Sequence, residues 1–270
     1  MLDLHLLDTG HCLVSAHHVM RGVPRRPMVC RSLVALIGHP QQGWTLFDTG
    51  YAPRMVEATR RLPWWLYRLA TPLRIRPEQA AVRQLARYSL VLSDIQRVII
   101  SHFHADHVAG LRDFPDVPVI ASSAALASIA GKHGLAALGR AHIPSLLPAD
   151  LDRRAVPLPV FIGPPLPHLG PTHDLFGDGS LLLMHLPGHA RGQIGALAQT
   201  KRGPVLLAAD GAWTNQAIRE QRLPARITHL FVDDVRAVGT TLAALRNFSL
   251  ARPDVRIIPT HCPEVDISAG

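Results

Sequence analysis

Residues 98–107 of the chain read Val98-Ile99-Ile100-Ser101-His102-Phe103-His104-Ala105-Asp106-His107, an apolar run followed by three histidines and one aspartate. Neutral imidazole is a common protein ligand for zinc and related ions, and a carboxylate supplies the negative charge that a second divalent ion needs. In an extended segment His102 and His104 point to the same side, so both can hold one ion. Asp106 and His107 follow where the chain is expected to turn into a helix. This stretch therefore predicts a loop that serves two metal ions.

Further ligand types follow apolar runs in the second half of the chain, at His189, Asp210 and His261. Taken alone, each is more typical of a cap or a hydrogen-bonded turn than of a metal ligand. Together with the histidine loop, these residues place a candidate ligand at the carboxyl end of each of four strand-like runs. Open α/β sheets have their sites at that edge. The coincidence predicts one shared metal site.

These motifs resemble, in their order, those of the metallo-β-lactamase-fold hydrolase superfamily, and the similarity extends from Thr45 to Cys262. The resemblance implies two metal ions, of which the first is held by His102, His104 and His189 and the second by Asp106, His107 and His261. It also implies that Asp210 bridges the two ions and that Asp48 orients a ligand histidine without touching metal. Zinc is the expected ion, while iron, manganese and cobalt suit the same imidazole and carboxylate donors.

The pattern of apolar runs divides the chain into two similar halves, each with an acid-glycine strand exit, at Phe47-Asp48-Thr49-Gly50 and at Ala209-Asp210-Gly211. With the resemblance, this predicts an α/β fold: an αββα sandwich of two mixed sheets, with helices outside and the site between the sheets at one edge. We expect a single domain over residues 1–270, with a helical insert at about 52–90. The proline-rich stretch 157–171 is expected to be a rigid loop near the site.

The insert at about 52–90 carries apolar residues at helical spacing, at Met55, Ala58, Leu62, Trp65 or Leu66, and Leu69. Pro63 is expected to begin a second helix after a break. Three interpretations stay open: a helix pair packed on the sheet or on a partner subunit, a lid that offers an apolar surface to an acyl chain, and a helix on a membrane surface. The aromatic residues of the insert indicate a homodimer in which one subunit covers the other.

The composition of the chain restricts the classes of protein to which it can belong. At 270 residues with 47% hydrophobic residues the chain can bury a large core. The net charge of +8 comes almost wholly from arginine, and an aromatic content of 5% offers few platforms for bases, so a nucleic-acid partner is not expected. There is no run of 18 apolar residues and no signal-peptide pattern at the start. Three cysteines without metal-type spacing suit a reducing compartment, so a cytoplasmic location is expected.

Two metal ions predict a hydrolytic reaction. Ions held about 3.5–4 Å apart by a shared carboxylate lower the pKa of a bridging water, so attack by a metal-bridging hydroxide is expected. Asp106 and Asp210 are the expected catalytic residues. Asp106 would accept the proton of the nucleophile and pass it to the leaving oxygen, while Asp210 bridges the ions.

The chain resembles the quorum-quenching N-acyl-homoserine lactonases in its length, its seven candidate ligands and its long insert. This resemblance implies a small lactone substrate with an apolar acyl tail. Those lactonases carry a tyrosine three residues after the bridging aspartate, where this chain has Trp213, whose indole N–H is also a donor. Trp213, Phe103, Trp64 and Trp65 are the expected substrate contacts. The long gap between Asp210 and the last ligand predicts an extra helix around 240–247.

Two alternatives to a lactonase stay open. The first keeps the metals and changes the bond: an acyl thioester or phosphodiester hydrolase whose anionic substrate is gripped by Arg54, Arg60, Arg61 and Arg68. The second is a metal-binding fold without catalysis, acting as a sensor or interaction module.

Overall fold

The computed structural model describes residues 1–267, whose strands form two mixed sheets. The first sheet contains β1 (Asp3–Ser15), β2 (Pro27–His39), β3 (Gly43–Phe47), β4 (Leu73–Arg74), β5 (Ile95–Ile99), β6 (Val119–Ser122) and β7 (Ala155–Leu158). Its order is β4-β1-β2-β3-β5-β6-β7, and the strands from β3 to β7 in that order are parallel. Because Phe47 pairs with Ile99, Asp48 and the histidine loop leave the sheet side by side.

The second sheet contains β8 (Gly163–Leu166), β9 (Gly170–Asp174), β10 (Leu181–His185), β11 (Ile194–Thr200), β12 (Gly203–Ala209) and β13 (Arg256–Pro259). Its order is β13-β12-β11-β10-β9-β8, and among the described strands of this sheet only the β12–β13 pair is parallel. Since Ala209 pairs with Pro259, Asp210 and His261 leave this sheet at the same edge.

Alternating side chains on the strands build three apolar layers. Leu183 and Leu207 belong to the layer between the two sheets, where they meet residues of β1 and β2. Their chain neighbours Met184 and Leu206 lie on the opposite face, in a layer with Leu245 of a covering helix. A third layer covers the outer face of the first sheet. Two sheets inside and helices on both outer faces confirm the predicted αββα sandwich.

The α-helices of the described residues are α1 (Ala16–Val19), α2 (Arg54–Ala58), α3 (Trp65–Ala70), α4 (Ala81–Gln84), α5 (Ala105–Val108), α6 (Ser123–Ile129), α7 (Gly134–Leu138), α8 (Leu151–Arg154), α9 (Asn215–Glu220) and α10 (Val235–Ala251). Short 3₁₀ helices cover Pro77–Gln79, Leu85–Tyr88, Leu92–Asp94, Leu111–Asp113, Pro144–Leu146 and Arg226–Phe231. Helix α10 contains the predicted extra helix, and the Asp234 carboxylate caps it by accepting from two backbone N–H groups. Within residues 1–267 no helix combines the length and the apolar character needed to span a membrane.

The segment 52–90 differs from the expected helix pair. It contains α2, α3, α4, two 3₁₀ helices and the two-residue strand β4, which pairs with β1. The predicted apolar stripe is largely exposed, since Leu62 is 71% and Leu69 62% exposed, whereas Met55 and Tyr67 are buried. Helices α2 and α3 have five and six residues, so neither is long enough to carry a continuous apolar face.

The expectation of a rigid loop at 157–171 is wrong. This stretch contributes to β7, β8 and β9. Strand β7 lies at one edge of the first sheet and β8 at one edge of the second, where proline removes no ladder hydrogen bond that the sheet needs. Phe161, between them, packs into the apolar layer between the sheets.

Candidate metal centre

The predicted ligand residues meet at the edge where β5, β10, β12 and β13 end. The structure brings all seven together in three overlapping clusters whose potential donor atoms lie within 4.8 Å of one another: His102, His104 and His189; His102, His107 and Asp210; Asp106, His107 and His261. Of these side chains only Asp106 is not classed as buried. Residues that are up to 159 positions apart in the chain therefore share one small volume.

The first cluster, called here the three-histidine group, consists of His102, His104 and His189. The His189 Nε2 lies 2.9 Å from the His104 Nδ1. The rings of His102 and His104 approach edge to face with centroids 4.5 Å apart. Both histidines of the loop thus face His189, as the extended spacing predicts.

The second cluster, called here the mixed group, consists of Asp106, His107 and His261. Asp106 and His107 belong to the one-turn helix α5, which begins directly after His104. The His261 Nε2 lies 3.5 Å from the Asp106 Oδ2. On its other side the His261 Nδ1 lies 2.6 Å from the backbone carbonyl of Arg31, which fixes the ring. This contact places the Nε2 toward the other ligands.

Asp210 stands between the two groups. Its Oδ2 lies 3.1 Å from the His189 Nε2 and 3.0 Å from the His261 Nε2. Its Oδ1 lies 3.4 Å from the His107 Nε2 without forming a hydrogen bond. One carboxylate therefore faces both groups, which is the placement a bridging ligand requires.

Asp48 holds the mixed group from behind. Its Oδ2 lies 2.8 Å from the His107 Nδ1, and its Oδ1 accepts a hydrogen bond from the Ser101 backbone N–H at 2.8 Å. The Ser101 hydroxyl also donates to the Asp48 Oδ2 at 2.8 Å and lies 3.0 Å from the His102 Nδ1. Ser101 was not among the predicted site residues, although it is the one polar residue between the apolar strand and the first histidine.

Two of the strand exits at this edge have left-handed backbone conformations. Asp48 has φ +64° and Ala209, directly before Asp210, has φ +44°. Such conformations are unfavourable for residues other than glycine, and they accumulate at functional sites. Gly188, before His189, has φ +125°, and a Cβ there would lie 2.3 Å from the Val238 backbone nitrogen of α10. Glycine at this position lets the His189 turn approach α10 closely.

Burial and nearby charges shift the pKa values of the ligand histidines in opposite directions. Burial lowers the pKa of each member of the three-histidine group, well below the usual value for His102 and His104. Burial acts in the same direction on His107, but the carboxylates of Asp48, Asp210 and Asp106 outweigh it and raise the His107 pKa well above its usual value.

The same balance applies to the last two ligands. Burial would lower the pKa of His261, but Asp210 and Asp106 raise it to about 9. Burial would raise the pKa of Asp210, yet His261, His189 and His107 hold it well below its usual value. Asp210 is therefore a carboxylate at neutral pH, ready to act as an anionic ligand.

The donor atoms fit divalent metal. The His102 Nε2, the His107 Nε2 and the Asp210 Oδ1 are buried and have no hydrogen-bond partner in the structure. Buried polar atoms without partners are rare, because each costs about 1–3 kcal/mol. All three point into the same cluster, and five imidazoles with two carboxylates are the donors that zinc and its neighbours prefer.

An apolar cavity of about 260 Å³ opens from the metal centre. Its floor includes His104, Asp106, His189, Asp210 and His261. Its walls come from several parts of the chain and include Cys12, Val14, Cys30, Tyr51, Tyr67, Trp213, Ile227 and Phe231. A second cavity of about 260 Å³ touches only the three-histidine side and is lined by charged residues as well, including Arg140, Arg191 and Asp233.

The expected substrate contacts have different positions relative to these cavities. Trp213 lines the apolar cavity, and its indole N–H donates to the Asp210 Oδ2 at 3.1 Å. Phe103 lines the second cavity. Trp64 and Trp65 are absent from both linings within the described part of the chain, and Tyr67 of the same segment lines the apolar cavity instead.

Comparisons with known proteins agree with this geometry. Residues 27–261 match the Metallo-beta-lactamase superfamily. The chain is 27% identical over 230 residues to the N-acyl homoserine lactonase AttM of Azorhizobium caulinodans, with 85% of this chain and 81% of that protein covered. It is 26% identical over 260 residues to a probable metallo-hydrolase of Mycobacterium tuberculosis, with 92% of this chain and 76% of that protein covered.

Among solved structures, the chain is similar to an N-acyl homoserine lactone hydrolase with the product N-hexanoyl-L-homoserine bound at its catalytic metal centre. The TM-score is 0.76 at 17% identity, and 97% of this chain and 93% of that chain are covered. At this identity the likeness shows the fold, and the sequence match over residues 27–261 shows the family. The chain therefore belongs to the metallo-beta-lactamase superfamily and is one of its metal-dependent hydrolases.

Proposed function

We propose that the protein is a dinuclear metal-dependent lactonase that opens the ring of an N-acyl-homoserine lactone or a similar ester. The observation that carries this proposal is the apolar cavity whose floor is formed by residues of both ligand groups. Lactone and acyl tail require different surroundings, a polar floor for the reacting carbonyl and apolar walls for the tail. This cavity offers both.

The metal site that supports the proposal uses all seven predicted ligands. The three-histidine group would hold one ion and the mixed group the other, with Asp210 shared. Two divalent ions bound here would supply a water of lowered pKa and a Lewis acid for the carbonyl oxygen. Zinc is the ion that we propose, because five of the seven donors are imidazoles.

The chain's own residues have separable tasks in this proposal. Asp48 and Ser101 keep the rings of His107 and His102 in position by bonding their Nδ1 atoms. Asp106, the least buried of the ligands, faces the cavity through its carboxylate and would accept a proton at Oδ2 and return it to the leaving oxygen. Trp213 would orient the substrate or Asp210 through its indole N–H.

The relatives' substrates support a lactone. The lactonase AttM of Azorhizobium caulinodans covers 85% of this chain, and a solved lactone hydrolase with the same fold holds an N-acyl-homoserine at its metal centre. Two of the four arginines expected to grip an anionic thioester or phosphodiester have other partners. Arg54 bonds the Asp113 carboxylate and the Ala109 carbonyl, and Arg60 pairs with the exposed Glu57.

The test is ring-opening of N-hexanoyl-homoserine lactone by zinc-loaded protein, followed by proton release at constant pH. We expect a kcat/KM of about 10⁴ M⁻¹s⁻¹ or more that a chelator abolishes. Parallel assays with an acyl-CoA and with an aryl phosphodiester separate the alternatives. Protein with both ions bound that hydrolyses one of these and leaves the lactone intact would overturn the proposal, and protein that hydrolyses none would favour the non-catalytic alternative.

Location and assembly remain proposals of the same kind. We propose a cytoplasmic location, because three cysteines without metal-type spacing suit a reducing compartment. Cys12, Cys30 and Cys262 are free thiols in the structure. The exposed Leu62, Trp65 and Leu69 of the segment 52–90 are the surface that we propose for a homodimer. Light scattering of the purified protein and of a Leu69→Glu variant tests the dimer.

A further inference from the structure

Two cysteines from neighbouring strands face each other beside the metal centre. Cys12 of β1 pairs directly with Cys30 of β2 in the antiparallel register. Residues opposite each other in an antiparallel pair have Cα atoms about 4.5–5.5 Å apart, which lies inside the range of about 4.4–6.8 Å found for disulfides. Cys12 and Cys30, called here the thiol pair, therefore occupy positions whose Cα separation suits a disulfide.

Both members of the thiol pair line the apolar cavity. Each is only 6% exposed, so the cavity is the route by which a small reagent can reach them. Asp106 and His261 of the mixed group line the same cavity. The third cysteine, Cys262, is fully buried in the layer between the sheets, where its sulfur accepts from the Asn215 backbone N–H. The two environments make the thiol pair, and not Cys262, open to reagents in the cavity.

The two thiols differ in pKa. The neighbouring Cys30 thiol lowers the pKa of Cys12, and the neighbouring Cys12 thiol raises the pKa of Cys30 well above its usual value. The Tyr51 side chain also lowers the pKa of Cys12. Cys12 is thus the thiol whose sulfur is better stabilised as a thiolate, and Cys30 is the proton-bearing neighbour. Reactive dithiols divide their roles in the same way between an attacking and a resolving cysteine.

We infer that the thiol pair is a redox-modification site, which a small peroxide entering the apolar cavity converts to a Cys12–Cys30 disulfide. In the first step the Cys12 sulfur attacks one oxygen of hydrogen peroxide, the O–O bond breaks, and a sulfenic acid and one water form. In the second step the Cys30 sulfur attacks the Cys12 sulfur and displaces its hydroxyl as a second water. Two thiols are oxidised, one peroxide is reduced, and a dithiol reductant reverses the change.

The disulfide would change the wall of the substrate cavity. Oxidation joins two separate thiols of the cavity wall through an S–S bond, and Tyr51 lines the same cavity. A shift of wall atoms by about 1 Å near reacting groups can cost on the order of a hundredfold in rate. We expect kcat/KM to fall at least about tenfold on oxidation.

The experiment treats zinc-loaded protein with a small excess of hydrogen peroxide, because zinc has no redox chemistry of its own. Intact mass and peptide mapping read out the cysteines without relying on turnover. The expected result is a loss of two hydrogens per chain and a peptide pair joined through Cys12 and Cys30. Hydrolysis of N-hexanoyl-homoserine lactone is measured before oxidation, after it, and after reduction with dithiothreitol, and the loss is expected to reverse.

Cys262→Ser is the matched control and should keep the disulfide, whereas Cys12→Ser and Cys30→Ser should lose it. Because wild-type protein alone gives the peptide map, the test does not depend on the folding of these variants. Separate over-oxidation of each thiol, or a disulfide that includes Cys262, would overturn the modification site. A complete disulfide with unchanged turnover of a hydrolysed substrate would overturn its effect on the enzyme.

Discussion

The three-histidine group and the mixed group share Asp210 but differ in charge before metal arrives. Burial favours neutral rings in the three-histidine group, whose pKa values all lie below the usual value. The carboxylates around the mixed group raise the pKa of His107 well above its usual value and that of His261 to about 9. At neutral pH the first group is therefore ready to bind an ion, while the second must first release protons. The difference predicts ordered loading, with the three-histidine group filled first.

Removal of Asp210 is expected to have the largest effect, because its carboxylate faces both groups. In Asp210→Ala the mixed group loses a shared anionic ligand, so metal content should fall toward one ion per chain. Turnover should drop by about 10³-fold or more, because several kcal/mol of metal-dependent stabilisation are lost. Metal analysis and lactone hydrolysis measure the two effects.

Asp152→Ala, which removes an exposed carboxylate of α8, is the matched control for Asp210→Ala and should change neither quantity. An Asp210→Ala protein that keeps two ions and wild-type turnover would contradict the claim that both groups share Asp210.

The second prediction concerns pH. A histidine whose pKa is raised in the folded protein must lose its proton before it binds metal, so affinity for the second ion should rise with pH up to about 9. The gain should be about tenfold per pH unit for each proton released, or about a hundredfold from pH 7 to pH 9 for His261 alone. The first ion should bind with nearly constant affinity above pH 6.5, because its histidines are already neutral. Calorimetry in buffers of different ionisation enthalpy counts the protons.

The raised pKa of His261 also carries a stability effect with a defined sign. Protonated His261 stabilises the metal-free fold fully below about pH 6.5, and this contribution is lost as pH rises through about 9. The Tm of metal-free protein should therefore decline from pH 6.5 to pH 9, while zinc-loaded protein should not show that decline. Equal proton release for both ions would contradict the difference between the groups.

The third prediction separates the groups through Asp48. Its carboxylate bonds the His107 Nδ1, whereas the His104 Nδ1 in the other group faces His189 and has no carboxylate behind it. Asp48→Asn keeps a residue that tolerates the left-handed backbone but weakens the hold on His107. Affinity for the second ion should fall about 10–100-fold, and affinity for the first should change much less.

Ser101→Ala is a useful companion to Asp48→Asn, since Ser101 lies against Asp48 and also beside the His102 Nδ1. Ser101→Ala should lower the affinity for both ions to a similar extent, and by less than Asp48→Asn lowers the affinity for the second ion. If Asp48→Asn weakened both ions equally, the two groups would not be independent.

The strand exits predict one shared metal site because its ligands follow apolar strands, whereas the division into two groups is what the family resemblance implies. His189, Asp210 and His261 carry a local signal, a polar residue at a strand exit, and parallel pairing then brings the exits to one edge. The family match over residues 27–261 and the similarity to a solved structure confirm the predicted family and fold. Ser101 lay within the same stretch, but its role depends on Asp48, which is 53 positions away.

The walls of the apolar cavity could not be predicted in this way. Helical spacing in the segment 52–90 predicts a helical apolar stripe that includes Leu62 and Leu69. Both residues are exposed, and helices of five and six residues have no continuous face. Tyr51, Tyr67 and Phe231 meet only through tertiary packing between distant parts of the chain. A cavity wall has no local sequence period, whereas a strand exit does.

The smallest expected effect is at Trp213, which touches the shared carboxylate and whose ring also approaches His189 edge to face, with ring centroids 5.6 Å apart. Its N–H donates to the Asp210 Oδ2, the oxygen that faces His189 and His261. Trp213→Phe removes this hydrogen bond to a charged group and should lower kcat/KM about tenfold, which corresponds to about 1.4 kcal/mol. Both ions should weaken alike, because the contact lies on the carboxylate between them.

Trp213→Tyr sharpens this last prediction, since it restores a hydroxyl donor where the lactonases that the chain resembles carry a tyrosine. It should retain more activity than Trp213→Phe, and Trp44→Phe, which changes an indole on the outer face of the first sheet, should leave kcat/KM unchanged. Steady-state kinetics with lactones of two chain lengths measure all three variants. A Trp213→Phe protein with full activity would assign Trp213 to the cavity wall alone, whereas a loss confined to one ion would show that the carboxylate is not equally shared.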